Sequence, residues 1–271
     1  LAAINAFRVY GAKFVGISTD HEGMDTHELE QTLRKLAAEG VKPKFVYMVP
    51  TCQNPGGFTM SMERRRHFME LMEQYDLLVV EDDPYSYFTF EKIEYEHLKN
   101  IDRNNRVLYV GTLSKILAPG LRIGWALGPK ELISQLELAK QTLDLHTSTL
   151  TQYIAMEAIE KGVVGNTIEK ARELYRLKRD KMIEALEKYF PSHARWTKPV
   201  GGMFVFVYLR EDIDTKALMY KALDHGVAYV PGQSFFVDGS GKNTMRLNYS
   251  FPSPEQIEEG IRRLGRMLSQ L

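Results

Sequence analysis

Residues 77–85 read LLVVEDDPY. Four aliphatic residues in a row, with no polar alternation, describe a strand buried on both faces. The run stops at three acids and a proline. The same arrangement occurs twice more: FVYMV (45–49) stops at Pro50, and VLYV (107–110) stops at Gly111. Between the first two runs, residues 63–75 place Phe68, Leu71, Met72 and Tyr75 at i, i+3, i+4 and i+7, the spacing of a helix with one apolar face. Buried runs separated by helices predict a mostly parallel sheet covered on both faces. IGWAL (123–127) follows VLYV too closely for a crossover helix, so it is predicted to run antiparallel. KFVGI (13–17) is read as one more short strand.

The second half has a different rhythm. A long helix is predicted over 166–190, with Leu174, Tyr175, Met182, Ala185, Leu186 and Tyr189 on one face and Pro191 ending it. FVFVYL (204–209), VAYV (227–230) and MRLNYS (245–250) read as strands. A last amphipathic helix carries Ile257, Ile261, Leu264 and Leu268. The predicted organisation is a large α/β domain over 1–165 and a smaller α+β domain over 166–271.

Bulk composition narrows the function classes. The chain has 271 residues, 44% of them hydrophobic, enough for a sizeable core. Its 35 basic and 35 acidic residues cancel, which favours neither a nucleic-acid nor an anionic-membrane partner. A single cysteine, Cys52, leaves no internal disulfide framework and fits a cytoplasmic setting. No apolar run approaches the roughly 20 residues that span a bilayer.

In open α/β sheets, ligands bind beyond the carboxyl ends of the parallel strands. Three such ends deliver Asn54, then Asp82, Asp83 and Tyr85, then Thr112, Ser114 and Lys115, with Arg122 seven residues further on. Singly, each has a plain explanation: Asn-Pro is a turn former, acids after strands cap helices, and lysines lie at surfaces. Their placement at equivalent ends of consecutive strands is what marks them. The seven histidines are scattered without His-Glu-x-x-His spacing, so no dedicated metal site is expected. There is no Gly-x-Ser-x-Gly elbow, and no Gly-x-Gly-x-x-Gly follows a strand.

The segments QNPGG (53–57), VVEDDPYSYF (79–88), GTLSKILAPGLRIGW (111–125), PVGGMFVF (199–206), VPGQSFF (230–236) and MRLNYS (245–250) give the chain a clear likeness. It resembles class I/II aminotransferases, the fold-type I enzymes dependent on pyridoxal 5′-phosphate, in the branch of 2-aminoadipate, kynurenine and aromatic aminotransferases. The resemblance implies the three-layer αβα transferase fold with a small C-terminal domain. It implies Lys115 as the lysine that bonds to the cofactor aldehyde and shuttles the proton. A desolvated pocket is expected to lower its pKa. Asp82 is implied as the carboxylate facing the pyridine nitrogen, three residues before Tyr85, and Asp83 as a cap. Tyr85 and Asn54 are implied at the ring's 3′ oxygen. Thr112, Ser114 and Arg122 are implied as phosphate ligands, and Arg246 as the ligand of the substrate α-carboxylate. Gly201 and Gly202 are expected to allow close backbone approach near the substrate, with Met203 and Phe204 either lining a pocket or packing in the core.

The function that follows is transfer of an amino group from an aromatic, 2-aminoadipate or broader amino acid to a 2-oxo acid such as 2-oxoglutarate, in a ping-pong mechanism and as a homodimer. Two alternatives stand beside it: a lyase on the same cofactor, and the aminotransferase-like effector domain of a transcription regulator. Relative to the family the sequence starts late. A substrate-covering arm, a small-residue phosphate loop and a ring-stacking aromatic residue are expected before residue 1.

Overall fold

A computed structural model describes residues 1–271. In chain order the first elements are α1 (Ala2–Val9), β1 (Thr19–Asp20), β2 (Gly23–Met24), α2 (Thr26–Ala38), β3 (Phe45–Met48), α3 (Met62–Gln74) and β4 (Leu78–Asp83). Then come α4 (Leu98–Ile101), β5 (Val107–Thr112), β6 (Gly124–Leu127), α5 (Lys130–Leu143), α6 (Thr149–Glu160) and α7 (Val163–Tyr189). The chain finishes with β7 (Arg195–Trp196), β8 (Phe204–Tyr208), α8 (Thr215–Asp224), β9 (Val230–Pro231), β10 (Thr244–Asn248) and α9 (Pro254–Leu268). These form two compact units. One comprises Ser18–Thr51 and Thr59–Arg172; the other comprises Leu1–Ile17, Cys52–Phe58 and Glu173–Leu271.

The first unit is built on a four-stranded sheet in the order β3-β4-β5-β6. β3 with β4 and β4 with β5 are parallel, and β6 returns antiparallel to β5, as its short connection predicts. Asp25 caps α2 by accepting from the N–H groups of His27 and Glu28 at 2.9 and 3.0 Å. Leu29 and Leu33, one turn apart, are buried. α3 buries Phe68, Leu71 and Met72, and also Arg65, which lies on the same stripe. Arg65 is fully enclosed. Its guanidinium donates to the carbonyls of Met60, Glu96 and Pro50 and to Thr51 Oγ1, all at 2.8–2.9 Å.

Two predicted strand ends lie further along the chain than expected. β4 continues through Glu81, Asp82 and Asp83. Acids survive there because their carboxylates are satisfied. Glu81 accepts from the N–H groups of Leu98 and Lys99, both at 2.9 Å, at the start of α4. Asp83 accepts from Ser86 N–H and Oγ and from Tyr109 Oη at 2.6–3.1 Å, so it caps the turn Ser86–Phe88. β5 likewise continues through Gly111. That glycine makes room instead of a turn: a Cβ there would stand 2.4 Å from the Trp125 ring.

The second unit contains a sheet of order β7-β8-β10-β9, antiparallel throughout. β8, in its middle, buries Phe204, Val205, Phe206 and Val207 in succession. α9 starts with a capping box between Ser253 and Gln256 and buries Ile257, Ile261, Leu264 and Leu268, the four predicted positions. Met182, Ala185 and Leu186 of α7 are buried, whereas Leu174 of the predicted stripe is exposed. VAYV contributes only Val230 to a strand. Tyr229 is held elsewhere, its hydroxyl donating to the Thr215 carbonyl at 2.6 Å. KFVGI is not a strand: it pairs with no neighbour, and Val15 is exposed.

Candidate active-site residues

In the first unit, the pleat decides which strand-end side chains share a face. Successive residues alternate, and partners in register point the same way. Tyr47 pairs with Val80, Asp82 with Val110, and Thr112 with Gly124. Tyr47, Asp82 and Thr112 therefore stand on one face of the sheet, and Glu81 and Asp83 on the other. Tyr47 Oη donates to Asp82 Oδ2 at 2.5 Å. Burial raises the Asp82 pKa, the neighbouring Asp83 charge raises it further, and the Tyr47 hydrogen bond opposes both. Burial, and then Asp82, pushes the Tyr47 phenol up. Tyr85, buried, begins the turn that Asp83 caps.

The segment after β5 is pinned by its apolar members. Leu113 and Ile116 are buried, and Leu117 N–H donates to the Leu113 carbonyl at 2.9 Å. Ser114 and Lys115 are thereby turned outward from that core, and Lys115 is exposed. Thr112 Oγ1 lies 2.9 Å from Ser114 Oγ, accepts from Ser114 N–H at 3.0 Å, and reaches the Ile123 carbonyl at 3.2 Å. Arg122 has a left-handed backbone, φ 55° and ψ 38°, at the end of the turn Pro119–Leu121. A non-glycine residue there costs roughly 1–2 kcal/mol, a strain that recurs where a side chain must be aimed.

In the second unit, Asn54 and Arg246 meet although 192 residues separate them. Arg246 Nη1 donates to Asn54 Oδ1 at 2.7 Å. The Arg246 guanidinium carbon also lies 4.1 Å from the Phe204 ring centroid and 5.0 Å from that of Phe235, so two aromatic faces hold the cation. Phe204 thus both packs in the core and seats the arginine. Gln53 organises the Asn54 turn: its N–H bonds the Phe58 carbonyl, and its side chain accepts from Gly56 N–H at 2.9 Å. Gly202, φ 81°, lets the PVGG segment approach; a Cβ there would be 3.0 Å from the Cys52 Cβ.

Sequence reasoning missed Tyr47 and Arg65. Both left a trace: a phenol inside a buried run requires a hydrogen-bond partner, and an arginine on an apolar helix stripe requires several. It also missed His97. Its Nδ1 is 3.5 Å from Glu81 Oε1 and 3.7 Å from Asp83 Oδ2, ion-pair distances without an aligned hydrogen bond. Glu81 chiefly, with help from Asp83 and against burial, raises the His97 pKa.

The profile of class I and II aminotransferases matches residues 2–264. The chain belongs to that family. The aromatic-amino-acid aminotransferase 1 of Thermococcus litoralis is 47% identical over 270 residues, covering 100% of this chain and 65% of that relative. This chain therefore spans about two-thirds of the relative's length. A multiple substrate aminotransferase from Thermococcus profundus superposes with a TM-score of 0.96 at 48% identity, over 99% of this chain and 67% of that one. A Pyrococcus horikoshii kynurenine aminotransferase, solved in complex with PMP, gives 0.96 at 43% identity over the same shares. The α/β fold with its mixed, mostly parallel sheet is that of the fold-type I enzymes, and membership makes pyridoxal phosphate the cofactor.

The donor set in the first unit fits this group. Two hydroxyls 2.9 Å apart suit a phosphate dianion, and the guanidinium of the same segment, Arg122, donates to the Pro119 carbonyl at 3.1 Å. A half-buried carboxylate at the end of β4 suits a protonated ring nitrogen. Lys115, in the same segment as the hydroxyls, suits the aldehyde. No helix is long and apolar enough to cross a membrane.

Proposed function

We propose that the protein is a pyridoxal-phosphate-dependent aminotransferase. It moves an amino group from an amino acid, aromatic, 2-aminoadipate or of broader range, to a 2-oxo acid such as 2-oxoglutarate, in two half-reactions. The observation that carries this reading is the outward-facing Lys115 beside the Thr112–Ser114 hydroxyl pair, on a sheet whose matching face bears Asp82.

When bound, the cofactor supplies an electrophilic carbon for the amine and a ring that draws electrons from the carbon losing its proton. The residues of the chain do the rest. Thr112, Ser114 and Arg122 bind the phosphate. Asp82 keeps a proton at the ring nitrogen, and Tyr47 orients that carboxylate. Tyr85 would donate toward the ring oxygen, and Asn54 holds Arg246. Lys115 would hold the cofactor through its amine, and its Nζ would serve as the base that takes the proton from the substrate α-carbon. Arg246 binds the substrate carboxylate, and its seat between Phe204 and Phe235 fixes the plane in which the guanidinium presents its two N–H groups.

We also propose a cytoplasmic homodimer. Exposed apolar side chains on α5 and α6, among them Leu138, Leu143, Leu150, Tyr153 and Ile159, support association. Light scattering of the cofactor-loaded protein tests this, and an active monomer contradicts it.

The activity test is a panel of amino donors with 2-oxoglutarate, reading glutamate. Lys115→Ala is expected to abolish both turnover and the visible absorbance band of bound cofactor; a retained band overturns the assignment. Ammonia and an oxo acid without glutamate point instead to the lyase.

A further inference from the structure

Folding gathers two of the scattered histidines. His27 stands in the first turn of α2, Glu30 follows it by three residues on the same side of that helix, and His67 comes from α3. One ligand atom from each of the three, a nitrogen from either ring and a carboxylate oxygen, all lie within 4.8 Å of one another. The imidazole centroids are 5.2 Å apart and the planes are inclined by 48°, which is not a stacked pair.

The surroundings prepare these groups for ligation. Thr26, 2% exposed, places its Oγ1 2.9 Å from His67 Nδ1. With the proton on Nδ1, that contact fixes the ring and leaves the Nε2 lone pair free, which is how metal-binding histidines are held by a second group. The Asp25 cap fixes the turn that carries His27. Glu30 is paired with Arg34, whose side chain is 67% exposed. Such a surface pair is weak, so Arg34 can move into water when the carboxylate takes another partner.

We propose that His27, Glu30 and His67 form a site for a divalent transition-metal ion of the zinc class, with a fourth position for water. Two imidazoles and one carboxylate select zinc, cobalt or nickel over magnesium and calcium, which prefer all-oxygen shells. A tetrahedral ion with bonds of about 2.0–2.1 Å holds its donors roughly 3.3 Å apart. No separation here has to close by more than roughly 1.5 Å, an adjustment within the rotamer freedom of the exposed His27. The site shares no residue with the cofactor set. An ion there would tie α2 to α3 across a loop whose ends, Thr26 and His67, are 41 residues apart. The sequence carries no metal motif because the three ligands come from two separate helices.

The test is titration of the untagged full chain with Zn²⁺ alone against a chromophoric chelator, with Co²⁺ spectra as a reporter of geometry. One high-affinity ion per chain is expected, with a tetrahedral Co²⁺ spectrum. His27→Gln, at an exposed position, should lose the site while the thermal midpoint without metal is unchanged. His67→Gln should lose it too. Thr26→Val keeps all three ligands yet should weaken Zn²⁺ by about 10–100-fold. No bound ion, or an ion whose affinity is indifferent to both histidine variants, overturns the proposal.

Discussion

Tyr47→Phe isolates one hydrogen bond of the candidate site. The ring and its burial remain, and only the hydroxyl that donates to Asp82 Oδ2 at 2.5 Å is lost. A hydrogen bond to a charged group contributes about 1.5–3 kcal/mol, and one to a neutral group about 0.5–1.5 kcal/mol. The difference, about 1–2 kcal/mol, corresponds to a rise of roughly one pKa unit in Asp82. Asp82 already has a raised pKa, so the folded chain binds its proton more tightly than the unfolded chain does. Stability is therefore highest while the carboxyl is protonated and declines as pH rises through the folded pKa. Removing Tyr47 extends that decline. Urea unfolding of the cofactor-free chain should show Tyr47→Phe costing about 0.5–1.5 kcal/mol well below the Asp82 pKa and about 1.5–3 kcal/mol well above it. In an Asp82→Asn background the pH dependence of the cost should vanish. A cost that is the same at both ends, or an Asp82 carbon resonance whose titration does not move, refutes the reasoning.

Arg65→Met should destabilise the chain by about 1–3 kcal/mol, because it takes the guanidinium donors from the buried Met60 carbonyl and Thr51 Oγ1; a urea midpoint near wild type would contradict this. His97 has a raised pKa, so the stability it contributes is complete below its unfolded pKa of about 6.5 and is lost as pH rises through the folded value. His97→Gln should therefore cost more at acid pH than at alkaline pH, measured by the same unfolding series. Gly111→Ala should cost about 1–3 kcal/mol by driving a methyl group into the Trp125 ring, with a shifted tryptophan emission as its signature.

Part of the fold was legible from apolar runs and helical spacing, but the runs are not covered on both faces as expected: Phe45 and Leu78 are exposed. The three apolar runs became β3, β4 and β5, and IGWAL became the antiparallel β6. The four core residues of α9 stood at helical spacing in the sequence. Legibility failed where a partner distant in sequence decides. Nothing local shows that Glu81 will be met by two amides at the start of α4, so the acids looked like the end of a strand. KFVGI has the composition of a strand but no neighbour to pair with. Candidate site residues were legible as residues at strand ends, and the joining of Asn54 to Arg246 is an arrangement only folding reveals. Lys115 was singled out by its segment, yet its exposure was not foreseen.

The acids of β4 have a further consequence. Glu81 and Asp83 knit the scaffold on one side of the sheet, while Asp82 faces the other. Chemistry and architecture are thus interleaved at single-residue spacing, like odd and even digits of one number. Insertion or loss of one residue within β4 would invert the parity. Two scaffold carboxylates would turn toward the face that bears Tyr47, with that phenol as one donor between them, and the amides of Leu98 and Lys99 would lose the acid that receives them. A shifted pairing therefore has no partial version that still works, and the triplet acts as a checksum on the alignment of the strand.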